Sequence, residues 1–180
     1  MWFDTAHDNQ LYRADSIGAT EIVEGGWELV RDLGIAEAIG DAATAQAAAV
    51  AAQGTADGAQ TAAENAQGDA TTALGELDDI AADDKITPVE KLTLLPLWNG
   101  ILAEKADIDA EADTFGVSKV AYGTAYNNLY GYVVTTLNTF GSMTTTTDIT
   151  RATWNGYFEA YYNAKIEILN AISSAAKTLA

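Results

Sequence analysis

One seven-residue rhythm constrains this chain more than any other feature. Between Ala36 and Ile80 the sequence is rich in alanine, holds no lysine or arginine, and returns a glutamine at Gln46, Gln53, Gln60 and Gln67. Each glutamine follows an alanine (Ala45, Ala52, Ala59, Ala66), and three residues earlier stands another (Ala42, Ala49, Ala56, Ala63). Apolar positions spaced alternately three and four apart mark a helix that packs along one seam. In heptad notation the a positions are Ile35, Ala42, Ala49, Ala56, Ala63, Ala70 and Leu77. The d positions are Ala38, Ala45, Ala52, Ala59, Ala66, Ala73 and Ile80. A sustained 3.5-residue period predicts a left-handed supercoil. Alanine lets helix axes approach closely but buries little area per residue, so such a seam is weak and leans on its larger ends. Gly40, Gly54, Gly68 and Gly75 fall at the outermost position, each costing about 1 kcal/mol of helix propensity relative to alanine. The leading expectation is a coiled-coil stalk over residues 33–83, with the a and d residues as its oligomerisation seam. Two alternatives stand beside it: a low-complexity linker, and a helix folded back as the fourth member of a bundle.

The flanks differ in kind. Large apolar residues are concentrated before about Asp32 and after about Ile86. Residues 1–32 are predicted to form a small β-hairpin module. Trp2, Phe3, Tyr12 and Trp27 are expected to pack together, and Gly25-Gly26 is a turn dipeptide between two β-prone runs. Residues 84–180 are predicted to form a three-helix bundle. Its first helix starts with a capping box: Thr87 as N-cap, Pro88 at N1 and Glu90 at N3. The expected inward faces are Val89, Leu92, Leu95, Trp98, Leu102 and Ile108; then Tyr122, Tyr126, Leu129, Val133 and Leu137; then Trp154, Phe158, Tyr161, Ile168 and Ile172. Gly116 ends the first helix and Ser118 caps the second. The fold class is therefore mainly α: a small N-terminal β-hairpin module, a long alanine heptad coiled coil and a C-terminal three-helix bundle.

Charge and composition exclude several roles. The 180 residues carry a formal net charge of -17, which opposes binding to nucleic acid or to anionic membrane surfaces. No apolar run approaches the roughly 20 residues a membrane span needs, and the N-terminus lacks the basic and apolar regions of a signal peptide. There is no cysteine, so thiolate metal sites and disulfides are excluded. The single histidine, His7, lies in an expected turn without partners for a catalytic triad or a metal site. No phosphate-binding loop, dinucleotide fingerprint or zinc-protease motif is present. No catalytic, cofactor-binding or metal-binding residue is assigned, and no cofactor is expected. The acidic run Asp78–Glu90 matches a calcium loop only in part. Asp79, Asp83 and Glu90 match its positions 1, 5 and 12, but Ala81 and Asp84 stand where an oxygen ligand and a glycine belong. The acids Asp107, Asp109, Glu111 and Asp113 are expected on a solvated helix face. Tyr130, Tyr157 and Tyr162, near Asn127, Asn128 and Asn163, form a candidate partner surface for a sugar or a protein.

Longer motifs carry a resemblance. The N-terminal residues Trp2-Phe3-Asp4-Thr5, Asn9, Leu11-Tyr12-Arg13, Trp27 and Val30-Arg31-Asp32 resemble a short module of bacteriophage tail and fibre proteins, there followed by an alanine-rich helical stretch. The run "DDKITPVEK" from Asp83 to Lys91 is similar to the start of a helical domain in phage tail fibre and host-specificity proteins. The resemblance implies a non-enzymatic structural protein of the virion, in a tail, collar or head fibre. It implies a homotrimer, attachment to other virion proteins through the N-terminal module, and contact with the host surface as a further role. It supplies no catalytic residues.

Overall fold

The computed structural model describes the backbone of residues 2–4, 10–14, 27–29 and 33–179, and the side chains of residues 37–178. The chain divides into two compact units, Met1–Ala48 and Ala49–Ala180. The division falls within a helix, not at the boundaries 32 and 83 expected from composition.

In the first unit, three short strands form an antiparallel sheet: β1 (Trp2–Asp4), β2 (Gln10–Ala14) and β3 (Trp27–Leu29), in that order. Trp2 pairs with Tyr12, Tyr12 with Leu29, and Ala14 with Trp27. The predicted hairpin about Gly25-Gly26 is corrected: β3 runs beside β2, and Gly25 and Gly26 lie outside the described residues. His7 and the packing of the aromatic side chains of this sheet lie outside them as well.

The alanine stretch is one continuous helix, α1 (Leu33–Ile80). Alanine has the highest helix propensity of any residue, enough to carry the scattered glycines. The glutamines mark its outer face, where Gln53 donates to Asp57 (2.9 Å) and Gln60 to Glu64 (2.8 Å), both one turn on.

The expected coiled coil between copies is overturned by where the seam goes. Ala56, Ala59, Ala63, Ala66, Ala70, Ala73 and Leu77 are buried in one cluster with residues of the C-terminal helices of the same chain. Ile80 is partly buried against that cluster. Towards the N-terminus, Ala38, Ala42, Ala45 and Ala49 are exposed and Ala52 is intermediate, while the side chain of Ile35 is not among those described. From Ala56 onward the seven-residue stripe is thus a packing face, and its partners there are in the chain itself. The three-helix bundle becomes a four-helix bundle. The physical reason is direct: a stripe that needs an apolar neighbour is covered by whichever surface the tertiary fold brings to it, and periodicity is the same for either neighbour.

The other helices are α2 (Pro88–Thr114), α3 (Val120–Tyr130) and α4 (Arg151–Leu179). The start of α4 meets the end of α1, where Arg151 pairs with Asp78, so these two helices are antiparallel. The first turn of α2 shows the full capping box. Thr87 accepts from the Glu90 amide, and the Glu90 carboxylate accepts from the Thr87 amide (2.7 Å) and hydroxyl (2.8 Å). At its end Gly116, at φ +66°, closes a Schellman turn: its N–H reaches the Asp113 carbonyl and that of Val117 reaches Ala112. Only glycine adopts that φ without a steric penalty. Ser118 does not cap α3, whose N-cap is Lys119 with no side-chain hydrogen bond.

The buried face of α2 differs from the expected one. Leu94, Trp98, Ile101, Ile108 and Ala112 are buried with Lys91, whereas Val89, Leu92 and Leu102 are exposed. Leucines lie on several faces of "KLTLLPLWNGIL", so periodicity alone does not select the phase; the positions of α1 and α4 do. On α4 all five expected residues are buried. After α3 the chain widens into a π-helical turn, Gly131–Thr136. The connection onward holds β5 (Thr147–Asp148), which pairs antiparallel with β4 (Lys85–Ile86) ahead of α2. This two-stranded clip joins the loops at one end of the bundle.

Candidate functional site

The acidic segment before α2 is tied into the fold. Asp78 receives a forked pair of hydrogen bonds from Arg151, the Nε–Oδ1 arm at 2.7 Å, and a third from Asn155 (2.6 Å). These donors hold its carboxyl below the ordinary value of 3.8, Arg151 contributing most and Asn155 next. Asp83 accepts from the Lys85 amide. Asp84 sits at φ +59°, a left-handed conformation that aspartate tolerates better than most residues. Its carbonyl accepts from Ile149 (2.9 Å), and its carboxylate caps α4 by accepting from the Arg151 amide (2.7 Å). Asp78 and Asp84 therefore hold the α1–α2 turn against the start of α4, while Asp83 and Glu90, which match calcium-loop positions, make only local bonds to Lys85 and Thr87. Among the described residues no group of three or more His, Cys, Asp or Glu is arranged to hold a metal ion. No helix among them is long and apolar enough to cross a membrane.

This clamp carries a pH prediction. The fold favours the ionised form of Asp78, so its contribution is present above the unfolded value and is lost as pH falls through the lower folded value. The stability difference between the native protein and Asp78→Asn should be largest near neutrality and should shrink as pH falls below the ordinary carboxylate range. Urea titrations at several pH values measure it; a difference that does not change with pH would dismiss the ionic clamp.

A second polar cluster lies among α2, α3 and α4. Glu104 accepts from Tyr161 with one carboxylate oxygen and from Lys165 with the other (2.5 Å). Burial and the Glu104 charge push the Tyr161 hydroxyl well above its ordinary pKa, so it remains a donor. Lys105 pairs with Asp109, and its ammonium stands 5.3 Å from the Tyr122 ring centre and 5.4 Å from that of Tyr126. Asp109, expected on a solvated face, is thus partly buried and paired, and burial pushes the neighbouring Tyr122 up to about 12. Lys91 is fully buried, donating to the Ser142 carbonyl (2.8 Å) and the Thr147 hydroxyl (2.7 Å), and its pKa is lowered by burial. Nothing in the sequence around Lys91 distinguishes it from a solvated helix lysine. Only the returning 138–149 connection encloses it.

The three tyrosines of the candidate partner surface have different fates. Tyr162 is buried on α4, with 5% of its surface accessible. Tyr157 is half-buried and stacks on Tyr132, the ring centres 4.4 Å apart. Tyr130 is exposed at 41%. Its ring lies 6.2 Å from that of Tyr126 in a stacked pair and 6.1 Å from that of Trp98, which also stacks on Phe140 (5.8 Å). Asn127 and Asn128 beside it are exposed. The structure therefore does not assemble the three tyrosines into one exposed surface: Tyr130 has rigid aromatic backing and polar neighbours, and the other two serve the core. A phase error on a 3.6-residue helix accounts for Tyr162, because adjacent Tyr161 and Tyr162 are both buried where α4 packs on more than one neighbour.

Comparison with known proteins supports a link to phage tail fibres, not the particular motifs that suggested it. No family model matches the chain, and no solved structure does. Over 99 residues, 55% of the chain, the sequence is 35% identical to the tail fiber protein of Enterococcus phage phiEF24C, and the chain spans only 5% of that protein's length. This similarity links the chain to phage tail-fibre sequences.

Proposed function

We propose that this chain is a structural, non-enzymatic component of a bacteriophage virion: a helical module of a tail fibre that contacts other virion proteins. The observation that carries this reading is the similarity to a phage tail fiber protein over more than half of the chain. The use of the acidic residues supports it. The groups that could have served chemistry, Asp78, Asp84, Glu90 and Glu104, are engaged in a clamp, caps and an ion pair. Mass spectrometry of purified particles should find the chain, and gold-labelled antibody should mark the fibres. Its absence from purified virions would refute the proposal.

A second reading, attachment to a host glycan or envelope protein, is favoured by one observation, the exposed Tyr130 ring backed by Tyr126 and Trp98. A rigid aromatic with adjacent amides suits both a sugar face and a protein surface. Tyr130→Ala should weaken adsorption to host cells by on the order of tenfold, while stability changes by less than about 1 kcal/mol. Unchanged adsorption would leave the structural role alone.

A further inference from the structure

The connection from Asn138 to Thr147, between the π-helical turn and β5, gathers groups that the fold leaves poorly satisfied. Asn138 stands in the left-handed region at φ +47°. Thr139 is fully buried, and its hydroxyl has no hydrogen-bond partner among the described residues. Lys91 of α2 is fully buried against this connection, and among the described residues no carboxylate lies within ion-pair distance of it. Its ammonium donates instead to the Ser142 carbonyl and the Thr147 hydroxyl. Burial alone lowers its pKa, as expected for an ammonium drawn out of water without an opposing charge.

The contacts that hold this connection down are few. Phe140 stacks on Trp98, and Lys91 grips the chain at Ser142 and Thr147. Thr144, Thr145 and Thr146, between those two points, are exposed. From Thr147 onward a separate set of bonds takes over: the pairing of β5 with β4 and the Ile149 N–H to the Asp84 carbonyl. One end of the connection is thus fixed to the clip. The other end leaves the π-helical turn through the single left-handed residue Asn138. An orphaned hydroxyl and an uncompensated ammonium are among the costliest groups to bury, and both sit at this one short span.

We propose that residues 138–146 are a lid, hinged at Asn138 and latched by Lys91, which opens while the helices stay packed and uncovers Trp98 beside Tyr130. Opening hydrates the Lys91 ammonium and the Thr139 hydroxyl, and this offsets much of the stacking that is lost. A few loop residues that absorb a change of φ and ψ suffice for such a hinge. With Phe140 over it, Trp98 is only 4% exposed, although its ring lies 6.1 Å from that of the exposed Tyr130. With the lid open, the two rings form one aromatic surface. The motion belongs to the free chain and does not rest on the attachment reading.

Hydroxyl-radical footprinting of the full chain, read by mass spectrometry at Trp98 and Trp154, tests this. Trp154 is fully buried and bonded to the Leu77 carbonyl, so it reports loss of the helical packing. Two changes that keep side-chain shape should move Trp98 in opposite directions. Thr139→Val removes the orphaned hydroxyl, favours the closed lid, and should slow Trp98 oxidation by roughly 3- to 10-fold. Thr147→Val takes an acceptor from the Lys91 ammonium, favours the open lid, and should speed it by on the order of tenfold. Oxidation of Trp154 should stay unchanged in both. Changes at Trp98 matched by Trp154, changes of the same sign in the two variants, or an unchanged Trp98 in either would overturn the proposal.

Discussion

Trp154→Ala is expected to cost about 3–5 kcal/mol, a large share of the stability of a single domain. Trp154 is fully buried and packs on Phe158, with ring centres 4.7 Å apart, and on the edge of Tyr132. Its indole N–H also donates to the Leu77 carbonyl at the end of α1 (3.2 Å). Truncation removes the largest fully buried side chain among the described residues, leaves a cavity, and breaks a bond between residues 77 apart in sequence. Trp154→Phe refines the test. It keeps an aromatic ring but removes the donor, and should cost about 1–2 kcal/mol. Urea melts followed by circular dichroism measure both. A loss below 1 kcal/mol for Trp154→Ala would mean that α1 and α4 do not pack as described.

Two alanines in the same heptad position provide the second large effect. Ala63 and Ala42 both occupy position a, but Ala63 is 5% exposed whereas Ala42 is exposed. Ala63→Asp should lose about 3–4 kcal/mol, because the carboxylate must be buried without a partner or protonated at a cost. Ala42→Asp should lose less than about 1 kcal/mol, mostly helix propensity. A seam used between copies along its whole length would make the two substitutions comparably damaging. Equal losses in thermal melts would therefore reject the four-helix packing.

The elements legible in the sequence were those written in local chemistry. The capping box at Thr87 and Glu90, the glycine closure at Gly116 and the buried stripe of α4 depend on residues within a turn or two of one another, and all are found in the structure. The phase of α2 was not legible, since leucines on several faces satisfy more than one inward direction. Nor was the fate of the acids. Asp78 and Asp84 lie in an acidic run that only partly fits a calcium loop, and their partners, Arg151 and Asn155, come from about 70 residues further along the chain. Of the candidate tyrosines, Tyr130 keeps an exposed ring, whereas Tyr162 is buried on α4.

The sequence by itself favoured a helix with one narrow apolar face over residues 33–83, formed in the structure over Leu33–Ile80, because alanine propensity and a seven-residue period are properties of the local chain. It also determined the acidic surface and the absence of thiol chemistry. Tertiary structure alone decided what covers that face. A stripe of methyl groups has the same spacing for a second copy as for a neighbouring helix, and only long-range packing, with α2 and α4 brought back along α1, chose its own chain from Ala56 onward.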